Sequence, residues 1–204
     1  MTTEAGEEIE VKFHVQRLAL VQQRAEGLGG RLIAPRMHEL NLRFDTNDKR
    51  LEGQGCALRL RSDAKATLTF KGPSEVLDGI RQRVELELGV DDFAGARQIL
   101  MALGYVVTFT YEKYRTVYGL GEATLMLDEL PYGDFVEIEG EPETIKSSAE
   151  RLGLRWELAI PDSYLGIFSR LQHTIELAPT ELRFDSLAGI PMDLGLIGIS
   201  AADS

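Results

Sequence analysis

Apolar and polar side chains alternate in several runs of this chain, the period of strands with two unlike faces. The alternation predicts strands near 7–13, 38–45, 57–62, 65–71, 81–88, 111–118, 122–129 and 134–140. Turn chemistry separates several of them, at Asn47-Asp48, the Gly53–Gly55 segment, Asp63-Ala64, Gly119–Gly121 and Tyr132-Gly133. In three of the remaining gaps the period lengthens to that of a helix. Leu18, Val21, Ala25 and Leu28 form one apolar stripe, stopped by Gly29-Gly30. Phe93, Ala96, Leu100 and Leu103 form a second, with Asp91 or Asp92 as its cap. Ile145, Ala149 and Leu152 form a third, opened by Pro142 in its first turn. A shorter helix is expected near 163–171. The predicted class is α+β, mostly antiparallel strands with helices between some of them.

One phrase recurs three times: a strand carrying Glu-x-Glu, an amphipathic helix, then Leu-Gly. Its copies begin at Glu8-Ile9-Glu10, Glu85-Leu86-Glu87 and Glu137-Ile138-Glu139, and end at Leu28-Gly29, Leu103-Gly104 and Leu152-Gly153. Helix packing with a glycine stop explains the second half of the phrase, but not the paired carboxylates. The same face of the other strands is also charged. It carries Lys12 beyond Glu8 and Glu10, then Arg59 and Arg61, then Lys71 in line with Thr67 and Thr69. Arg81 and Arg83 precede Glu85 and Glu87, and Lys113, Arg115, Asp128, Glu137 and Glu139 follow. A half-solvated sheet is the usual cause of alternation, yet such a face normally mixes in uncharged polar residues. The apolar faces also need cover, and three helices can supply it.

An eight-stranded antiparallel barrel with helices packed outside and a charged lumen meets both demands. A barrel of about eight strands has room inside for one small ligand. Packed only with side chains, so many charges would suffer heavy desolvation, so an anion and a cation are expected within. Arg and Lys suit phosphate oxygens, and clustered carboxylates suit Mg²⁺ or Mn²⁺. Carboxylates alternating on one strand lie ~7 Å apart, so an ion is expected between Glu8/Glu10 and Glu137/Glu139 of different strands.

The 204 residues suit one well-buried domain, expected over 1–171, with a tail of unknown role over 172–204 containing Pro179, Pro191 and the nearly uncharged Gly195-Leu196-Ile197-Gly198-Ile199. With 22 basic and 33 acidic residues, the net charge of −11 disfavours nucleic-acid binding. No apolar run is long enough to span a membrane, and the acidic start Met1-Thr2-Thr3-Glu4 lacks the parts of a signal peptide. A cytoplasmic monomer or homodimer is the expectation. The single Cys56 permits no internal disulfide. His14, His38 and His173 share no ligand spacing, and Trp156 and Tyr164 are expected in packing before base stacking.

Glu8-Ile9-Glu10-Val11-Lys12 resembles the ExExK signature of the CYTH superfamily, the triphosphate tunnel metalloenzymes. An ordered series extends the resemblance: Phe44-Asp45-Thr46, Gly55-Cys56-Ala57-Leu58-Arg59-Leu60-Arg61, Phe70-Lys71-Gly72 and Arg81-Gln82-Arg83-Val84-Glu85-Leu86-Glu87. It continues through Glu112-Lys113-Tyr114-Arg115, Leu127-Asp128-Glu129 and Gly133-Asp134-Phe135-Val136-Glu137-Ile138-Glu139-Gly140, covering roughly 7–170. The resemblance implies that Lys12, Arg59, Arg61, Lys71, Arg81, Arg83, Lys113 and Arg115 hold a triphosphate. It implies one or two divalent ions, Mg²⁺ or Mn²⁺, on Glu8, Glu10, Glu137 and Glu139 with Asp128, and a catalytic part for Glu85, Glu87 and Lys71.

Three activities remain open. Water attack would make the protein a triphosphatase acting on ATP, tripolyphosphate or thiamine triphosphate, the least demanding reading because water needs no pocket of its own. Attack by a ribose 3′-hydroxyl would make it a class IV adenylyl cyclase. Binding without turnover would need chiefly the basic residues, so the full acidic set argues against it.

Overall fold

In the computed structural model, which describes residues 6–178 and 181–203, the eight expected strands form one closed antiparallel barrel. They are β1 (Gly6–Val15), β2 (Arg31–Asp45), β3 (Ala57–Ser62), β4 (Ala66–Leu77), β5 (Ile80–Val90), β6 (Val106–Leu120), β7 (Ala123–Leu130) and β8 (Gly133–Glu139). Around the barrel the order is β1-β5-β4-β3-β2-β6-β7-β8, and β8 pairs with β1 to close the ring. Residues 1–4 and Pro179, read above from sequence, lie outside the described residues.

Several strands run further than the alternation predicts. β2 begins at Arg31 because irregularities between Leu32 and Ala34 and between Ala34 and Met37 shift its register, which hides the period of two. β4 continues past Gly72-Pro73 through another irregularity after Lys71. Where only turns were expected, a short helix α2 (Arg50–Gly53) stands. The Asp45 carboxylate organises it by accepting from the backbone N–H groups of Leu51 and Glu52, both at 2.9 Å.

Because one face of every strand turns inward, the apolar core lies outside the barrel wall. The helices α1 (Leu18–Gly27) and α4 (Pro142–Arg151) cover β1, β7 and β8, burying Val21, Ala25, Ile145 and Ala149 against Val11, Phe13, Leu125, Val136 and Ile138. Asp92 caps α3 (Phe93–Ala102) by accepting from Gly95 N–H at 3.0 Å, and α3 lays Leu100 on Leu42, Phe44, Leu58 and Leu60. The cover is incomplete, contrary to expectation: Val84, Leu86 and Leu88 on the outer face of β5 remain 45–61% exposed.

A third apolar cluster closes one end of the barrel. Ser163 caps α5 (Tyr164–Thr174), which stacks Tyr164, Ile167, Phe168 and Leu171 on Tyr132 and Phe135. The C-terminal segment then straps this end, with Leu182 bridged to Tyr111 and with Leu187, Leu194 and Ile199 in the same cluster. Its last turn returns to the start of α1. Ala202 N–H donates to the His14 carbonyl at 2.8 Å, and the Asp203 carboxylate accepts from Gln16 and Arg17 N–H at 2.9 and 2.8 Å.

Candidate active site in the barrel lumen

The lumen is a cavity of about 600 Å³ walled by the polar faces of the strands. Strand register decides which charges meet. Glu10 of β1 stands opposite Arg81 of β5 on one side and Glu139 of β8 on the other, while Lys12 faces Glu137 and Glu8 faces Arg83. Lys71 of β4 lies opposite Glu85 of β5. The resulting pairs are close and buried. Lys71 Nζ donates to Glu8 at 2.6 Å and to Glu85 at 2.5 Å, Arg83 Nε donates to Glu8 at 2.6 Å, and Lys12 pairs with Glu137 at 2.6 Å.

Asp128 is the hub of a second network. It accepts from Lys113 Nζ at 3.0 Å, Arg115 Nε at 2.6 Å and the Tyr164 hydroxyl at 2.8 Å, and Arg115 reaches on to Glu137. The Tyr164 ring lies under Lys12 Nζ, 4.4 Å from the ring centroid, so it floors the lumen. Trp156 packs outside the barrel, edge-on to Phe13, away from the lumen. Asp128 stands apart from the other expected ion ligands. It is fully buried among three donors and does not line the cavity, which makes it a counter-ion in this arrangement.

Electrostatics divides the carboxylates into two kinds. Burial opposes ionisation of Glu8, but Lys71 and Arg83 beside it hold its carboxyl down to about 2. Glu137, fully buried, is likewise held well below the ordinary range by Lys12, Arg115 and Lys113. Glu139 goes the other way. Burial, then the charges of Glu8, Glu10 and Glu85, push it up to about 7. Carboxylates crowded until one of them holds its proton form an oxygen-rich site suited to a hard divalent cation. Their side chains are drawn toward Lys71 and Arg83 here, and among the described residues no three such groups already converge as an ion cage.

Comparison with known proteins agrees with this architecture. A family model described as the CYTH domain matches residues 6–154. The chain belongs to the CYTH family. No curated protein matches it significantly. Among solved structures, a candidate adenylate cyclase from Vibrio parahaemolyticus superposes with a TM-score of 0.72 at 22% identity, covering 81% of this chain and 99% of that one. A Pyrococcus horikoshii protein is 30% identical over 78% of this chain and 97% of its own, with a TM-score of 0.65. A candidate adenylyl cyclase from Hippeastrum, in which triphosphatase activity is dominant, is 22% identical over 80% of this chain and 95% of its own, with a TM-score of 0.60.

Within this CYTH lumen the structure brings together Glu8, Glu10, Lys12, Arg59, Arg61, Lys71, Arg81, Arg83, Glu85, Glu87, Lys113, Arg115, Glu137 and Glu139, drawn from all but two of the strands. Those two, β2 and β7, also reach the cavity. β2 contributes Glu39 and Arg43, β7 contributes Met126, and Tyr111 of β6 and Asp63 join the lining. The signal for β2 lies in the sequence: Glu39, Asn41 and Arg43 alternate with Leu40, Leu42 and Phe44. Glu39 is deeply buried 3.6 Å from Lys113 Nζ. Although burial opposes it, Lys113, Arg115, Arg61 and Arg59 hold Glu39 down to about 2.

Proposed function

We propose that this protein is a divalent-metal-dependent triphosphatase that binds the phosphate chain of its substrate inside the barrel. The observation that carries this reading is the meeting, within one cavity of about 600 Å³, of the crowded carboxylates Glu8, Glu10, Glu85 and Glu139 with cations of the same and neighbouring strands. The CYTH family is in general metal-dependent, and the donor chemistry of Glu8, Glu10 and Glu139 fits Mg²⁺ or Mn²⁺. When bound there, such an ion would supply Lewis-acid polarisation of phosphoryl oxygens.

The chain's own residues supply the remaining needs of phosphoryl transfer, which are positioning and charge neutralisation. Arg59, Arg61, Arg81, Arg83, Lys113 and Arg115 hold phosphate oxygens in line, with the guanidinium groups able to bind in a bidentate way. Lys71 fixes Glu8 and Glu85 through its two short hydrogen bonds. Burial and the neighbouring Glu8 raise the Glu85 carboxyl, which favours taking up a proton. Glu85 accepts that proton from the attacking water as its oxygen bonds to phosphorus and the bond to the bridging oxygen breaks. The basic residues take up the charge left on the departing diphosphate.

Cyclisation of ATP is the second reading, and one observation favours it. Ala34, Met37, Val117 and Met126 form an apolar patch on the cavity wall beside Arg115 and Glu137, where an organic group could rest. The test is incubation with ATP, tripolyphosphate and thiamine triphosphate under Mg²⁺ and Mn²⁺, with separation of orthophosphate, pyrophosphate and cyclic AMP. Orthophosphate release is expected. Cyclic AMP with pyrophosphate would replace the first reading by the second, and no product at all would sink both.

A further inference from the structure

The cations of the lumen differ in how well they are neutralised. Lys12, Lys71, Arg83, Lys113 and Arg115 each touch at least one carboxylate at 3.0 Å or less. Arg61 has Asp63 at 3.0 Å, and Arg81 donates to the Pro161 carbonyl. Arg43 has neither. It lines the cavity, mostly buried, and among the described residues no hydrogen bond or ion pair holds its guanidinium.

Its neighbours add to the imbalance. Arg43 stands directly opposite Arg59 in the β2–β3 register, where side chains lie about 5 Å apart and like charges repel. Arg59 in turn meets the hydroxyls of Thr69, at 3.2 Å, and Tyr111, has Glu87 no nearer than 4.0 Å, and keeps its Nε buried without a hydrogen-bond partner. On the other side of β2, Tyr111 faces Asn41, a fully buried residue whose amide nitrogen and oxygen both lack partners.

We propose that Arg43, Arg59 and the Tyr111 hydroxyl form a phosphate subsite of the lumen, which takes a phosphate group of the bound triphosphate as the counter-charge the protein itself withholds. Two facing guanidiniums and a phenolic O–H match a tetrahedral, doubly charged group with several acceptor oxygens. A carboxylate at this place would instead have to be displaced before the substrate could bind. The Tyr111 hydroxyl reports the positive potential, since burial opposes but Arg59, Lys113 and Arg43 lower it below the ordinary phenol value. Arg43 is itself pushed down by burial and by the facing Arg59 and Arg83.

This inference rests on the triphosphate reading and adds residues to it, and one experiment separates the two. Wild type, Arg43→Met and Tyr111→Phe are melted with and without tripolyphosphate in EDTA, and affinities are measured by calorimetry. Without ligand, Arg43→Met is expected to melt higher than wild type, because an uncompensated buried charge is removed. Its tripolyphosphate affinity is expected to fall by about 10–100-fold, the loss typical of one charge-assisted contact. Tyr111→Phe is expected to bind more weakly by about 5-fold, the loss typical of one neutral hydrogen bond. Unchanged affinity in both variants, or an Arg43→Met that melts below wild type without ligand, overturns the subsite while leaving the triphosphate reading intact. A wild type that binds no tripolyphosphate, with metal or without, overturns both.

Discussion

Glu137 and Glu139 stand two residues apart on one face of β8, yet their surroundings set opposite charge preferences. Glu137 meets Lys12 and Arg115, while Glu139 meets Glu10 across the strand, with Glu8 and Glu85 near. A carboxyl raised in the folded state binds its proton more tightly there than in the unfolded chain. Stability from this group is therefore highest at low pH and declines as pH rises from about 4.5 to about 7. Glu139→Gln removes that decline. In EDTA the variant is expected to melt above wild type at pH 8, with the gap closing by about pH 4.5, as thermal scans across pH would show. The same variant is expected to lose metal-dependent turnover by at least about 100-fold, since even outer-shell partners of a metal change affinity or activity by about 10–100-fold. Wild-type turnover in Glu139→Gln would remove this residue from the ion site. The Glu-x-Glu pattern makes both carboxylates visible but not their difference, which depends on partners supplied by other strands.

Among the elements, α1 shows how local pattern and distant contacts divide the work. Its apolar stripe is plain in the sequence, but no Ser, Thr, Asp or Asn precedes it, and Arg17 makes no side-chain cap. The cap comes from Asp203, which lies 187 and 186 residues from the N–H groups it accepts and is nearly inaccessible to solvent. Asp203→Ala is expected to cost about 1–2 kcal/mol, the usual value of a lost N-cap, with the unfolding midpoint in urea as the readout. No loss of stability would mean that water replaces the carboxylate at no cost. β2 illustrates a different limit. Its second half alternates cleanly, while the irregularities near Ala34 break the period, so the first seven residues of the strand are hidden from a pattern search. The segment after α5 carries no strong periodicity at all, and only the apolar surface of the closed barrel end tells Leu182, Leu187 and Leu194 where to pack.

For the molecule as a whole, the lumen is a store of opposed charges, and its acid sensitivity follows. Glu8 and Glu39 are held at about 2 and Glu137 well below its ordinary value, so each stabilises the fold above about pH 4.5 and loses that contribution as pH falls toward its folded value. For the deeply buried Glu39 the stake is at most about 3 kcal/mol. Urea unfolding between pH 6 and 2.5 is expected to show a steep loss below pH 4.5, shallower in Glu39→Gln; equal slopes would mean that Glu39 titrates alike folded and unfolded. The sequence by itself determined the strand faces, the barrel and most of the charged residues inside it, because a period of two is a local property that each strand carries alone. Only the tertiary structure decided which charges are spent on one another, as with Asp128, and which are left open, as with Arg43. Neutralisation depends on distances between strands remote in sequence, and the closure of the barrel sets those distances.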